Sequence, residues 1–288
     1  GLNSIGIGSG GGVGKVTAEW MMTGHINEDI FSYDIKRFQK FHSELGFIKE
    51  RITESLGDLY GVHWPFKQHK TSRNIKKLPH HETLKSFGAC FGASGGYERP
   101  MWFALNGEKA EYQYSYNYQN WYPSAEYETK NTVKNIGLYD LTPFSKFEII
   151  SDNAHEELQR ICTANIKNEV GKCSYTQMLN SDGGIETDLT VICLDKNYFR
   201  IVSSAATRER DKFHIKKHLS KEIELRDVTD DYCVFGLFGP RSRGIRRIIS
   251  NGNFENNTFK VGTGKYIINE NIKIWTPRLS YVGELGYE

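Results

Sequence analysis

The chain has 288 residues, 38% of them hydrophobic and 25% charged, with a net charge of +2. That is enough chain for one large or two small domains with real cores. No basic stripe marks a nucleic-acid partner, and no apolar run approaches the ~20 residues of a membrane span, so neither partner is expected.

The first stretch, SIGIGSGGGVGKVTAEWMMTG, resembles a phosphate loop feeding a helix. Gly6, Gly8 and Gly11 satisfy G-x-G-x-x-G, but only five residues precede them and no acidic residue closes a following strand. The Walker pattern fails because Ser9 and Val16 stand where Gly and Ser or Thr are needed. What remains is a run of small residues and a predicted helix from about residue 13 to 22, whose free N–H groups favour a negative ligand.

Residues 34–60 predict a helix, with Phe38, Phe41, Leu45 and Ile48 at three-to-four spacing. Residues 61–100 read as irregular apart from a short helix in HETLKSFGA, and 110–128 as an aromatic loop leading to a helix at about 126–135. From Leu138 strands and helices alternate: a strand at 146–151, a helix capped by Asp152 or Asn153, and two β-like runs around Asp182-Gly183-Gly184, a hairpin turn signal. A strand in YFRIVSS, a helix from ATRERD onward, two strands between 223 and 238, a helix in RSRGIRRIIS and a closing strand and turn complete the chain. This pattern predicts an α+β fold.

Cys90, Cys162, Cys173, Cys193 and Cys233 are scattered, with no C-x-x-C pair. They predict a reducing compartment, without a disulfide framework or zinc site. His214 and His218 have helical ligand spacing, but Lys216, Lys217 and Lys221 make a solvated basic face the expectation, and no metal is expected. Arg241, Arg243, Arg246 and Arg247 could bind an anion but spread around a helix, so a solvated surface is their default. Asp188 falls mid-strand, where Asp is disfavoured. It is either exposed on a one-sided sheet or faces a cavity, where its oxygens could hold an N–H group or relay a proton. Glu284, in the tight turn YVGELGYE, is a second such carboxylate.

The blocks YTQMLNSDGGIETDLTV, FRIVSSAATRERD and LSYVGELGYE resemble signatures of the folate-binding aminomethyltransferase (glycine-cleavage T-protein) family. Upstream, NSIGIGSGGGVGKVTAEWMMTG, RITESLGDLYGVHWPF, GGYERPMWF and GLYDLTPFSKFEI resemble, in that order, the sarcosine and dimethylglycine dehydrogenases, which join an FAD-dependent amine-oxidising module to a T-protein-like one. The resemblance implies an internal piece of such a flavoprotein. Residues 1–36 would end the FAD-dependent oxidoreductase domain, 37–95 would form its central domain, and 96–288 would be a truncated aminomethyltransferase (GcvT-like) folate-binding domain. The implied cofactors are FAD and tetrahydrofolate. The implied partners are a small N-methylated amino acid and an electron acceptor such as an electron-transfer flavoprotein.

On that resemblance, Gly10, Gly11, Gly12 and Gly14 would lie beside the flavin, and Asp188 would be the catalytic carboxylate beside the reactive folate nitrogens. Glu284 would hold the pterin edge, with Tyr175 and Tyr281 lining the folate pocket. The piece by itself would have no dehydrogenase activity. Bacterial cytoplasm is the expected location, with the mitochondrial matrix as the alternative. Two other readings stay open: a stand-alone aminomethyltransferase of glycine cleavage, and a non-catalytic relative like the pyruvate dehydrogenase phosphatase regulatory subunit.

Overall fold

The computed structural model describes residues 5–24, 26, 30–105, 107–249 and 252–288, the side chains of 32 and 246–248 aside. The chain divides into two compact units, residues 1–38 and 39–288.

In the first unit, α1 (Gly6–Thr23) is closed by Gly24, whose left-handed backbone (φ 75°) lets its N–H donate to Trp20 O at 2.9 Å. The helix starts about seven residues earlier than predicted and runs through the glycine stretch. Each Gly costs only about 1 kcal/mol relative to Ala, and once a helix exists each added residue gains a hydrogen bond. Gly10, Gly11, Gly12 and Gly14 therefore lie inside the helix, beyond the first four N–H groups that a helix leaves free. Single 3-10 turns follow at Phe31–Tyr33 and Ile35–Arg37, the second capped by Asp34, which accepts from Lys36 N at 2.8 Å.

The second unit opens with a 3-10 turn at Lys40–Ser43 and α2 (Leu45–Asp58). The helix predicted over 34–60 is thus interrupted. Side chains compete for its backbone: Gln39 N donates to His42 Nδ1 at 3.0 Å, just as Asp34 captures Lys36 N. Next come α3 (His81–Ser86), β1 (Ala89–Ser94), β2 (Tyr97–Phe103) and α4 (Tyr122–Lys134). β1 and β2 form an antiparallel hairpin within the segment read as irregular. The expected domain boundary at 95/96 falls in its two-glycine turn.

The remaining elements are β3 (Gly137–Asp140), β4 (Ser145–Ile150), α5 (Ala154–Ile161), β5 (Cys173–Leu179), β6 (Ile185–Asp195), β7 (Tyr198–Ser203) and α6 (Arg208–His218). β8 (Leu225–Asp227), β9 (Phe235–Phe238), α7 (Ser242–Ile249), β10 (Thr263–Asn269), β11 (Ile272–Arg278) and β12 (Gly286–Tyr287) complete the order. The α+β expectation holds. The main sheet runs β5-β6-β7-β4-β8 with antiparallel neighbours. Period-two alternation sends Phe147, Ile149, Leu189, Val191, Phe199 and Ile201 to one face, where Leu158 of α5 and Ile215 of α6 close the core. Full burial of each such side chain stabilises by about 1.5–3 kcal/mol. A second sheet, β12-β9-β3, and the hairpin β10–β11 accompany a smaller cluster of Phe254, Phe259, Ile267 and Tyr287.

Candidate functional site

The hairpin predicted around Asp182-Gly183-Gly184 positions the first carboxylate. Gly183 takes φ 82°, and Asn180 Oδ1 accepts from Asp182 N (3.0 Å) and Gly184 N (2.8 Å). The resulting register pairs Tyr175 with Thr190 and Gln177 with Asp188. Thr187 and Leu189 turn inward and are buried, so Asp188 stands on the opposite, open face of the sheet. There the Tyr175 hydroxyl donates to Asp188 Oδ2 at 3.2 Å, its ring 64% exposed. One carboxylate oxygen is steadied by a phenol and the residue is exposed, an arrangement able to accept an N–H group or a proton.

The same sheet face carries buried charge deeper in. Arg200 Nη2 and Nε donate to Glu148 Oε1 at 2.6 and 3.0 Å, with the Tyr232 ring 4.0 Å from the guanidinium. Lys146 is 1% exposed and donates to Thr142 O (2.9 Å) and Phe144 O (2.8 Å). Burial lowers its ammonium to about 8.

The second carboxylate sits in a separate construction. Glu284 Oε1 accepts from Tyr281 N at 3.1 Å and Oε2 from Val282 N at 2.9 Å, closing the turn on itself. Burial pushes its pKa up, but backbone N–H groups outweigh burial and hold it below the usual carboxylate value. Glu284 lines a cleft of about 380 Å³ with Arg243, Asn256, Arg278, Ser280 and backbone of the same turn. Asp188, Tyr175 and Tyr281 are not among the lining residues, and the Tyr281 ring is 96% exposed. The structure therefore brings Asp188 and Tyr175 together and sets Glu284 in its own cleft.

Of the four arginines weighed as anion ligands, Arg243 lines that cleft, while the side chains of Arg246 and Arg247 lie outside those described. Arg278 was missed, because a charged residue ending a strand reads as surface. Cβ atoms at Gly10, Gly11, Gly12 and Gly14 would meet nothing within 4 Å. All five cysteines are free thiols. His218 Nδ1 lies 2.9 Å from His214 O, and burial, with help from His218, lowers His214 to about 4. Glu54, Asp58 and His69 place ligand atoms within 4.8 Å of one another. Glu54, however, accepts from Lys70 N and Thr71 N, and Asp58 pairs with Lys67, which suits an anchor for this loop. Among the described residues, no helix is long and apolar enough to cross a membrane.

Residues 80–288 match the GCVT N-terminal domain, and residues 23–77 match the FAD dependent oxidoreductase central domain. The chain belongs to the GCVT N-terminal domain family. It is 35% identical over its whole length to a 4-methylaminobutanoate oxidase (formaldehyde-forming) of Paenarthrobacter nicotinovorans, covering 35% of that protein. It is 28% identical to human mitochondrial sarcosine dehydrogenase, covering all of this chain and 36% of that one. The mouse pyruvate dehydrogenase phosphatase regulatory subunit is 32% identical across 84% of this chain and 28% of its own length. The chain thus spans about a third of the length of the curated relatives it matches. Glycine cleavage aminomethyltransferase T of Bartonella henselae shares the fold, with a TM-score of 0.59 at 21% identity over 74% of this chain and 53% of that one.

Proposed function

We propose that the protein containing this chain is a flavoprotein that oxidatively demethylates a small N-methylated amino acid and passes the one-carbon unit to tetrahydrofolate. The observation carrying this reading is the succession, within one chain, of an FAD dependent oxidoreductase central domain and a GCVT domain. Relatives named as a sarcosine dehydrogenase, a dimethylglycine dehydrogenase and a 4-methylaminobutanoate oxidase support it. Substrates of that class, with sarcosine and dimethylglycine foremost, are the expected donors. An electron-transfer flavoprotein is the proposed acceptor and the bacterial cytoplasm the proposed location.

FAD supplies hydride acceptance from the N-methyl carbon. Gly10, Gly11, Gly12 and Gly14, carried on the helix Gly6–Thr23, are the residues of this chain proposed to lie on the flavin side, and no step is assigned to them. The folate-side residues present fit tetrahydrofolate, which when bound would supply the ring amines that take up the one-carbon unit. Asp188, oriented by Tyr175, accepts an N–H or a proton from a ring amine, and Glu284 offers its remaining lone pairs to an amidine-like edge.

The test uses the full-length protein with FAD and tetrahydrofolate. Sarcosine, dimethylglycine or 4-methylaminobutanoate should bleach the flavin spectrum and yield methylenetetrahydrofolate in place of free formaldehyde. Failure of all three to reduce the flavin would remove the reading. The likeness to the phosphatase regulatory subunit favours a second, non-catalytic reading, which that failure together with retained folate binding would support.

A further inference from the structure

The amphipathic pattern of α2 is inside out. Leu45, Ile48, Ile52, Leu56 and the C-cap Leu59 recur at three- and four-residue steps along one side, and they are between 38% and 72% exposed. The polar side is the one that faces the protein. Arg51 Nη2 donates to Thr71 O at 2.5 Å, Glu54 accepts from Lys70 N and Thr71 N at 2.8 and 2.9 Å, and Asp58 pairs with Lys67. No residue from Leu45 to Asp58 is buried.

A surface helix of a globular protein turns its apolar stripe to a core, and most of its stability comes from that packing. α2 has 14 residues, near the length at which an isolated helix is marginal, and Gly46 and Gly57 weaken it further. Its polar bonds fix it to the 67–72 loop and leave the stripe uncovered. The stripe lies within residues 23–77, which match the FAD dependent oxidoreductase central domain, in a chain that spans about a third of its relatives' length. Its size also bears on what covers it. Four turns of helix, about 21 Å long and 10 Å across, fall well short of the ~800 Å² per partner that separate molecules need for a stable interface. They suffice as part of an interface within one polypeptide, which runs at roughly 600–1,500 Å² and gains from high effective concentration.

We infer that the apolar stripe of α2 is the docking surface for the FAD-binding portion of the same polypeptide, through an apolar face outside residues 1–288. The inference rests on the flavoprotein reading above and adds the contact by which that portion grips the central domain. On its polar side α2 holds the 67–72 loop, and next to that loop Arg73 Nε donates to Glu98 Oε1 of β2 at 2.8 Å. The helix thus ties the docked portion to the β1–β2 hairpin.

The experiment places p-benzoylphenylalanine, an apolar photocrosslinker, in the full-length protein at position 52 in one preparation and at position 56 in another, and maps the products by mass spectrometry. Both positions should link to the FAD-binding portion of their own chain. In the unsubstituted full-length protein, amides of 48–56 should be protected from hydrogen exchange to within about 10-fold of those of β6. Ile52→Glu should speed exchange across 48–56 by about 10- to 100-fold and leave β6 unchanged, whereas Ile52→Leu should behave as wild type. Products of doubled mass give the stripe to a second copy and overturn the inference. Links to residues 1–38, links to a portion other than the FAD-binding one, or no product at either position also overturn it. Exchange at 48–56 as fast as in the urea-unfolded protein does so without any variant, so a misfolded substitution does not spare the idea. Flavin reduction by sarcosine or dimethylglycine tests the flavoprotein reading separately. Reduction without the expected links removes the docking alone, and the expected links in a protein whose flavin no substrate reduces remove the catalytic reading alone. A full-length protein with no FAD-binding portion removes both.

Discussion

Asp188 is the residue on which the proposed chemistry depends, and its place on the open face of β6 makes a sharp expectation. Asp188→Asn keeps the shape and the Tyr175 contact but removes the proton acceptor. In the full-length protein, transfer to tetrahydrofolate should fall by about 10²- to 10⁴-fold while flavin reduction by the N-methyl substrate persists. Undiminished methylenetetrahydrofolate formation would strip the residue of its assigned role. Lys146 offers an independent test of burial. Its ammonium, pushed to about 8 against 10.5 in the open, penalises the fold at neutral pH. Because the folded state binds fewer protons above that value, the unfolding free energy should rise between pH 8 and 10.5. The rise should be on the order of 2–3 kcal/mol relative to Lys146→Met, a comparison that cancels the other groups titrating there. Parallel pH profiles for the two proteins would contradict the assignment. Asp188 was legible in the sequence because an Asp in mid-strand breaks β-propensity. Tyr175 was reached only through the resemblance, and its hydrogen bond needs a strand register that no single sequence shows. Arg278 had no local signal at all, since what makes it a cleft residue is the packing of α7, β11 and the 280–284 turn around it.

Among the elements, the strands of the main sheet announced themselves through period-two alternation and a glycine turn. The failures have a common cause in competition between local forces. The β1–β2 hairpin hides behind Gly92 and Pro100, poor strand formers that tertiary packing overrides. The helix predicted over 34–60 yields to side chains that capture its backbone. The junction after β9 shows how tightly two elements can be pinned. Gly239 adopts φ 115°, and its N–H donates to Leu285 O at 2.9 Å, tying β9 to the turn that holds Glu284. A Cβ there would meet Thr132 O at 2.5 Å and Asn135 O at 2.7 Å, both backbone. Gly239→Ala should therefore cost roughly 2–4 kcal/mol in a urea titration, and should weaken folate binding through the displaced turn. A loss under about 0.5 kcal/mol would show that α4 gives way freely.

Across the whole of the second unit, a polar clasp joins segments far apart in sequence. Arg208 on α6 holds Asp227 through two bonds of 2.9 and 3.0 Å, and Asp230 receives Tyr97, Lys76 and Arg208. Arg208→Ala would strand the mostly buried Asp227 carboxylate, with Lys212 at 3.3 Å the remaining cation on it. It should cost about 3–5 kcal/mol by denaturant unfolding; a change below 1 kcal/mol would mean that Lys212 and water suffice. None of this wiring could be read from the sequence, where the α+β class is visible but sheet order is not. The same is true of the sheet β12-β9-β3, whose register joins Gly137 to Phe238 and Phe238 to Gly286. Such pairings reward the chain only after long loops have closed, unlike the β5–β6 hairpin, which closes on its own turn. The cleft around Glu284 should therefore form late in folding. In pulse-labelled hydrogen exchange during refolding, amides of residues 187–193 should gain protection before those of 237 and 286, and simultaneous protection of both sets would contradict this order. A nascent chain that has emerged only as far as residue 250 should carry the strands around Asp188 without the residues 256–286 that line the cleft.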